Sequence, residues 1–269
     1  VIENKGWEFE LNTRNLSAES KLQWNTSFNL TFLKNTLLEY PGLANSAQAT
    51  RLEIGKPVRS PNLYSSLYER TLYYEGINPD TGMPIYTDVD KNGVFSNADY
   101  RYVGSAIPRT YGGLNNTLSW KGIDLDVFIQ FSQQLVTNHR VMGTYPGQLS
   151  NPVSDWYGNY WKQPGDVTKY PRLYPGTGSS AVLSYLTAYY PVSSVAATDL
   201  IYARLKNLQL SYTLPGKITT KAKMNKVVVY LRGQNLLTWT SKEILKDPET
   251  AYVTNMMLKN WTTGIQVIF

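Results

Sequence analysis

The stretch Asn260-Trp-Thr-Thr-Gly-Ile-Gln-Val-Ile-Phe269 decides the fold. In an extended chain successive side chains point to opposite faces. Trp261, Thr263, Ile265, Val267 and Phe269 therefore share one face, and Thr262, Gly264, Gln266 and Ile268 share the other. One face is greasy and the other mostly polar, the period-two pattern of a strand with one dry side. The ends of soluble domains usually fray into polar residues, whereas this stretch closes on Phe269. It reads as a terminal strand of an antiparallel transmembrane β-barrel, an all-β fold. The rest of the chain is expected to supply strands that pair with it.

The same alternation recurs upstream. Trp7, Phe9 and Leu11 alternate with Glu8, Glu10 and Asn12. Leu22, Trp24, Thr26, Phe28, Leu30 and Phe32 oppose Gln23, Asn25, Ser27, Asn29 and Thr31, with no charge on either face after Lys21. A tilted transmembrane strand needs about 9–11 residues, and this run has that length. Leu114, Leu118 and Trp120 lead through Lys121-Gly122 into Leu125, Val127, Ile129 and Phe131, a tight hairpin. Ile201 to Tyr212 is a strand whose phase slips near Lys206-Asn207, as at a β-bulge. Val227, Val229 and Leu231 oppose Val228, Tyr230 and Arg232. A soluble β-sandwich gives the same alternation, so periodicity alone leaves both architectures open.

The connections separate them. Short links (Leu16 to Ser20, Lys121-Gly122, Thr213 to Asn225) alternate strictly with long ones at about 35–109, 136–200 and 240–258. Bacterial barrels have short periplasmic turns and longer extracellular loops, so the pattern predicts seven membrane strands with a periplasmic C-terminus. Trp7, Trp24, Trp120, Trp239 and Trp261 fall near strand ends, where interface girdles are expected. Within the first long loop, Leu63 to Tyr74 is a candidate hairpin arm and Asn78-Pro79-Asp80-Thr81-Gly82 a turn.

Composition narrows the function. Aromatics make up 13% of the chain, with 21 Tyr and 7 Trp against 7 Phe, a bias toward rings with a polar handle. No Cys is present, which excludes disulfides and thiolate metal sites. The one histidine, His139, is read as incidental and cannot build a histidine metal centre. The net charge of +6 is dispersed apart from Lys217, Lys221, Lys223 and Lys226, so no nucleic-acid track is expected. No run of about 18 apolar residues predicts a transmembrane helix. The opening Val-Ile-Glu-Asn-Lys-Gly starts mid-pattern, and the chain is expected to be part of a longer protein.

One segment carries metal-site spacing. Asp88 to Asp99 places Asp88, Asp90, Asn92, the Val94 carbonyl, Ser96 (directly or through water) and Asp99 at positions 1, 3, 5, 7, 9 and 12, with Gly93 at 6. That is the spacing of a twelve-residue Ca²⁺ loop, with Asp in place of the usual Glu at 12. An ion-free Asx-rich turn is the competing reading. If bound, Ca²⁺ is expected to be structural. In the second long loop, Trp156, Tyr157, Tyr160 and Trp161 are the candidates for stacking on substrate or a partner, against simple self-packing. His139, Tyr145 and Tyr174 lie in the same loop. Glu8 with Glu10, and Asp124 with Asp126, read as solvated lumen carboxylates, since nothing indicates a pocket that would separate their pKa values. No catalytic residue and no enzyme activity are expected.

Several motifs together resemble the C-terminal part of SusC/RagA-type TonB-dependent outer-membrane transporters. They are Asn4-Lys5-Gly6 before Glu8-Phe9-Glu10-Leu11, Gly76-Ile77-Asn78-Pro79 with Thr81-Gly82, Asp88 to Asp99, Val103-Gly104 and Ile107-Pro108. Tyr202 to Asn207, Ser211 to Pro215, Gly233 to Thr238, Asp247-Pro248-Glu249 and Gly264 to Phe269 continue the series in order. The resemblance implies a barrel of about 22 strands, of which this chain holds the last seven, with an N-terminal plug and a TonB-contacting region outside it. It implies import of glycan or peptide fragments across the Gram-negative outer membrane beneath a SusD-like surface lipoprotein. It also implies that the terminal aromatic, Phe269, is an assembly signal. The alternative is a secreted β-sandwich that binds carbohydrate through aromatic loops and Ca²⁺, with a calcium-stabilised loop; a glycoside hydrolase would need two carboxylates about 5–10 Å apart. Seven strands cannot close so wide a barrel, so an open sheet edged by the Gly6–Thr13 strand and the final strand is expected.

Overall fold

The computed structural model describes residues 1–49, 51–58, 70–104, 107–138, 141, 156–173, 180–243, 247–249 and 257–269. His139, Tyr145, Tyr174 and residues 63–69 of the proposed hairpin arm lie outside them. The strands, in chain order, are β1 (Ile2–Arg14), β2 (Leu22–Leu37), β3 (Arg70–Leu72), β4 (Tyr74–Ile77), β5 (Pro84–Tyr86) and β6 (Tyr100–Tyr102). They continue with β7 (Thr110–Trp120), β8 (Ile123–Thr137), β9 (Ala197–Thr213), β10 (Lys226–Thr240) and β11 (Asn260–Ile268). Seven of them form one antiparallel sheet in the order β1-β2-β7-β8-β9-β10-β11. The sheet is open, with β1 and β11 as its edges, as the strand count requires.

Register turns seven amphipathic strands into one amphipathic wall. Across one row Trp7 pairs with Phe32 and Phe32 with Thr110; across the next Phe9 pairs with Leu30 and Leu30 with Gly112. Leu118 pairs with Leu125, Leu125 with Leu210, Leu210 with Leu231 and Leu231 with Thr263. The greasy side of every strand therefore falls on the same face. That face is bare: Trp7 is 74% exposed, Leu11 56% and Ile265 68%. The sandwich reading required these faces to meet a second sheet in a dry core, and among the described residues no second layer covers them. Polar groups on the greasy side satisfy each other, as a lipid-facing position demands. The Asn116 side-chain oxygen accepts from Trp24 Nε1 at 3.0 Å and from Thr26 Oγ1 at 2.7 Å.

The height of the band follows from strand geometry. Leu22 to Phe32 is ten steps of about 3.3 Å, so about 33 Å along the strand and about 25 Å along the normal at a tilt of about 40°. That matches the apolar band of an outer-membrane barrel, about 25 Å tall. Trp24 and Trp120 mark the short-turn end, and Trp7, Trp239 and Trp261 the loop end.

Local chemistry explains the turns. Lys121 and Gly122 have φ of 49° and 82°, so both central residues are left-handed, as a two-residue hairpin matching strand twist requires. The phase slip expected at Lys206 is a bulge: Phe128 pairs with Asn207, and Ile129 with Leu205. The next strand answers it, since the β9–β10 register jumps from Gln234 to Leu237 with Asn235 at φ 54°. Two neighbouring irregularities keep both faces in phase across the kink. The β9–β10 link, expected to be a plain turn, holds a helical turn at Gly216–Thr219 that continues as a 3-10 turn at Thr220–Ala222.

The long connections are less regular. Arg70–Leu72 pairs with the distant Tyr100–Tyr102 rather than forming a local hairpin arm, and β4 pairs with β5 around the Asn78–Gly82 turn. Among the described residues a small buried cluster, Val136, Leu200 and Tyr202, sits on β8 and β9 of the sheet, and the larger buried core lies in these connections. Val141, Trp156, Tyr170, Leu186, Tyr190 and Ala196 form it, with Tyr74 and Met83 packed against it from the first loop.

Candidate functional site

The first two long loops are joined into one body. Asn78 Oδ1 accepts from the Asp80 and Thr81 amides at 2.9 and 3.1 Å, closing the turn before Gly82. Gly82 has φ 68°, and a Cβ there would sit 2.4 Å from the Trp161 ring. The indole thus lies flat on a position that only glycine can hold open. Its Nε1 donates to the Pro79 carbonyl at 2.7 Å, and the Gly165 amide donates to the same oxygen at 2.9 Å. The Arg172 amide closes on the Gly82 carbonyl at 2.9 Å.

The four aromatic candidates separate by burial. Trp156 is 1% exposed and stacks on Tyr170 at 4.4 Å with an interplanar angle of 12°. It packs within the loop core, the self-packing reading of this ring, and is not on an open surface. Tyr160 bridges to Tyr170 and half-packs against the same core. Trp161 is half-buried on Gly82. Tyr157 is 84% exposed and is the most open ring of the four.

Asp88 to Asp99 lies between β5 and β6, so each end of the segment is anchored by a short strand. The carboxylate oxygens of Asp88, Asp90 and Asp99 come within 4.8 Å of one another. Two oxygens on one Ca²⁺ at about 2.4 Å can be no more than about 4.8 Å apart, so the spacing fits a single ion. Asp88 Oδ1 is buried and has no hydrogen-bond partner. An orphaned buried carboxylate oxygen is costly unless a cation answers it. Every other element of the segment holds this shape. Asp88 Oδ2 accepts from the Gly93 amide at 2.8 Å, Asp90 Oδ1 from Asn92 at 3.2 Å, and Asn92 Oδ1 from Val94 at 2.7 Å. Lys91 and Gly93 take φ of 57° and 77°, the sharp turn expected at the loop's centre.

Asp99 is fully buried and staples the loop. Its two oxygens accept from the Ser96 and Val89 amides, each at 2.8 Å. The Ser96 amide, with support from Val89, Asp90 and the Ser96 hydroxyl, holds its carboxyl below the ordinary range against the opposing effect of burial. Ser96 Oγ accepts from the Ala98 amide at 3.1 Å and completes a capping box with Asp99. Phe95 projects from the same loop into Tyr86, Tyr185 and Tyr189, with ring centroids 5.6, 5.4 and 5.8 Å away. The loop's shape is thereby tied to the second long loop.

A charge cluster on the inner wall had no counterpart in the sequence reading. Arg204 on β9 is 1% exposed; its Nη2 meets Asp247 Oδ2 at 2.5 Å and its Nη1 lies 3.6 Å from Glu249 Oε2. Lys206 Nζ meets the same Glu249 oxygen at 2.5 Å. The Gln134 side chain donates to the Pro248 carbonyl at 3.2 Å. The third long connection is therefore drawn back onto the polar face of β8 and β9. The available signal was that Tyr202–Asn207 and Asp247-Pro248-Glu249 both stand among the shared motifs, but motif order says nothing of contact.

One carboxylate of each pair accepts from amide side chains on the polar face of the sheet. Glu10 Oε1 accepts from Asn12 at 2.7 Å, and Asp126 accepts from Asn115 at 3.3 Å and Asn207 at 3.0 Å. Phe269 is 84% exposed beyond the end of β11.

No family model matches the chain. Two TonB-dependent receptors of Formosa agariphila are similar to nearly all of it. Receptor P3 is 30% identical over 270 residues, covering 93% of this chain and 25% of that protein. Receptor P26 is 28% identical over 265 residues, covering 92% and 26%. The chain thus spans about a quarter of the length of these relatives. Among solved structures, the RagAB peptide transporter matches 99% of this chain and 29% of its own with a TM-score of 0.74 at 22% identity. The RagAB peptide importer in its open-open state matches 100% and 29%, with a TM-score of 0.74 at 23% identity. The resemblance to TonB-dependent receptors drawn from the motifs is borne out over almost the whole chain.

Proposed function

We infer that this chain is a stretch of barrel wall from a TonB-dependent receptor of the SusC/RagA type, holding its seven C-terminal strands. The whole protein imports glycan or peptide fragments across the Gram-negative outer membrane, and its work is transport rather than catalysis. The observation that carries this reading is the continuous strand pairing from β1 to β11, brought back into phase after the bulge at Lys206, with the alternating apolar rows on one largely bare face. Such a face suits lipid, and two open edges suit further strands of the same wall. The similarity to two TonB-dependent receptors supports TonB as the energy source; it would act through a plug-bearing N-terminal region outside this stretch. The C-terminus is periplasmic on this reading, because the long connections share the other end.

The inner face supplies a polar, hydrogen-bonding lining for hydrated cargo, with Asp126 and Arg232 already held by neighbours rather than free to trap it. The joined loop body caps that end of the wall, where a SusD-like lipoprotein would sit, and Tyr157 is the ring it offers. Asp88, Asp90, Asn92, the Val94 carbonyl, Ser96 and Asp99 would hold Ca²⁺, whose chemistry there is structural charge neutralisation. These residues fix the loop and seat Phe95 against the second long loop. Phe269, 84% exposed at the end of the final strand, serves recognition by the barrel-insertion machinery.

Uptake by cells carrying the intact receptor tests the proposal. Labelled oligopeptides or oligosaccharides should enter only while TonB is present and the inner membrane is energised. Undiminished entry without TonB would overturn the import mechanism. In the same cells Phe269→Ala should reduce the amount of receptor in the outer membrane, and an unchanged amount removes its assembly role.

A further inference from the structure

We propose that the outer face of β1, β2 and β7 at the loop end binds the phosphate groups of an outer-leaflet lipid. The proposal rests on the barrel-wall reading and adds a ligand to it.

Lys5 and Lys34 are direct cross-strand partners. Both stand two residues beyond a greasy partner pair, Trp7 with Phe32, and so point to the same outer side. Like charges placed opposite each other in a ladder repel, and the fold gives them little relief. Lys5 meets Glu3 at 2.8 Å, a pair 68% and 34% exposed and easily exchanged with solvent. Among the described residues no carboxylate pairs with Lys34. Arg109 adds a third cation to the border of the same surface, joined to Asp199 at 2.7 Å with both side chains about half exposed. Lys56 stands nearby, 5.6 Å above the Tyr102 ring.

Lys5, Lys34 and Arg109 border a depression of about 910 Å³ whose lining also includes Trp7, Phe32 and Gln133. Its chemistry is divided in one direction only. Trp7 and Phe32 form an apolar floor continuous with the greasy band, and the lysines stand about 7 Å further along the strands, at the level of the lipid headgroups. An acidic protein would use the cations and leave the floor wet. A lipid carrying phosphates answers both, placing acyl chains on Trp7 and Phe32 and phosphate oxygens between Lys5 and Lys34. Ammonium-to-phosphate hydrogen bonds are charge-assisted and strong at a partly dry surface.

The test uses the intact receptor in detergent, with bisphosphorylated lipid A as the probe and its dephosphorylated form as the control. Native mass spectrometry should show retained bisphosphorylated lipid, with the dephosphorylated form bound at least tenfold more weakly. The double variant Lys5→Gln, Lys34→Gln should lose that preference by a similar factor. Its thermal midpoint should not fall, because the substitution removes a repulsion. Equal retention of both lipids, or undiminished preference in a variant that remains folded, would overturn the proposal. Displacement by millimolar inorganic phosphate that leaves the acyl chains unbound would equally overturn it, since the site would then be for a free anion. Failure of the wall reading looks different: the protein would be soluble without detergent and would retain neither lipid.

Discussion

Arg204 shows what one residue does for this molecule. Its guanidinium is removed from water on the inner wall, and two carboxylates from the third long connection answer it. Its Nε and Nη1 and the Glu249 Oε1 have no hydrogen-bond partner, so desolvation is only partly offset. Buried pairs of this kind add little net stability, but removing one member strands the other's charge at about 3–5 kcal/mol. Arg204→Ala should therefore release the connection between β10 and β11 from the wall. Limited proteolysis of the detergent-solubilised receptor should cut this connection much faster in the variant, with the strands still protected. An unchanged cutting rate would show that other contacts hold the loop. Trp156 makes the complementary point, since a ring-rich loop in the sequence does not say which rings face out. Burial is set by the partner Tyr170 and Tyr190, which lie at no periodic spacing from it.

At the scale of elements, legibility followed length. Strands of nine residues or more repeat their alternation often enough to be read from residue types, and even the bulge at Lys206 was visible as a slip of phase. The three-residue strands β3, β5 and β6 have too few positions to show a period. The shape of the Asp88–Asp99 loop was legible because its spacing of Asp, Asn and Gly is itself a local pattern, whereas its attachment through Phe95 to Tyr185 was not. In the intact receptor, hydrogen exchange should separate ion from staple. Chelating Ca²⁺ at neutral pH should speed exchange at the Gly93 and Val94 amides, next to the candidate ligands; no change would remove the ion from the account. The Asp99 carboxyl has a lowered pKa, so its contribution is full above the ordinary carboxylate range and is lost as pH falls through the lowered value. Acidification only to about pH 5 should therefore leave the Val89 and Ser96 amides protected.

At the scale of the whole molecule, one sheet carries two solvents. A seven-stranded antiparallel sheet with a bare apolar face and two free edges is not a stable object in water. The same sheet becomes sound once lipid covers the face and neighbouring strands cover the edges, and the loop body then stays outside with its own core. The alternation of short and long connections gave the sequence reading its direction, and the register supplies the faces. The most direct measurement places single cysteines in this stretch, which has none of its own, within the intact, bilayer-reconstituted receptor cleared of any cysteine elsewhere. Spin labels at Val229 and Ile265, a cross-strand pair on the greasy side, should be relaxed by oxygen and shielded from a water-soluble nickel complex. Labels at Val228 and Gln266, the adjacent pair on the polar side, should show the reverse. That alternation is the predicted result; water access on both faces of the two strands would contradict the barrel wall.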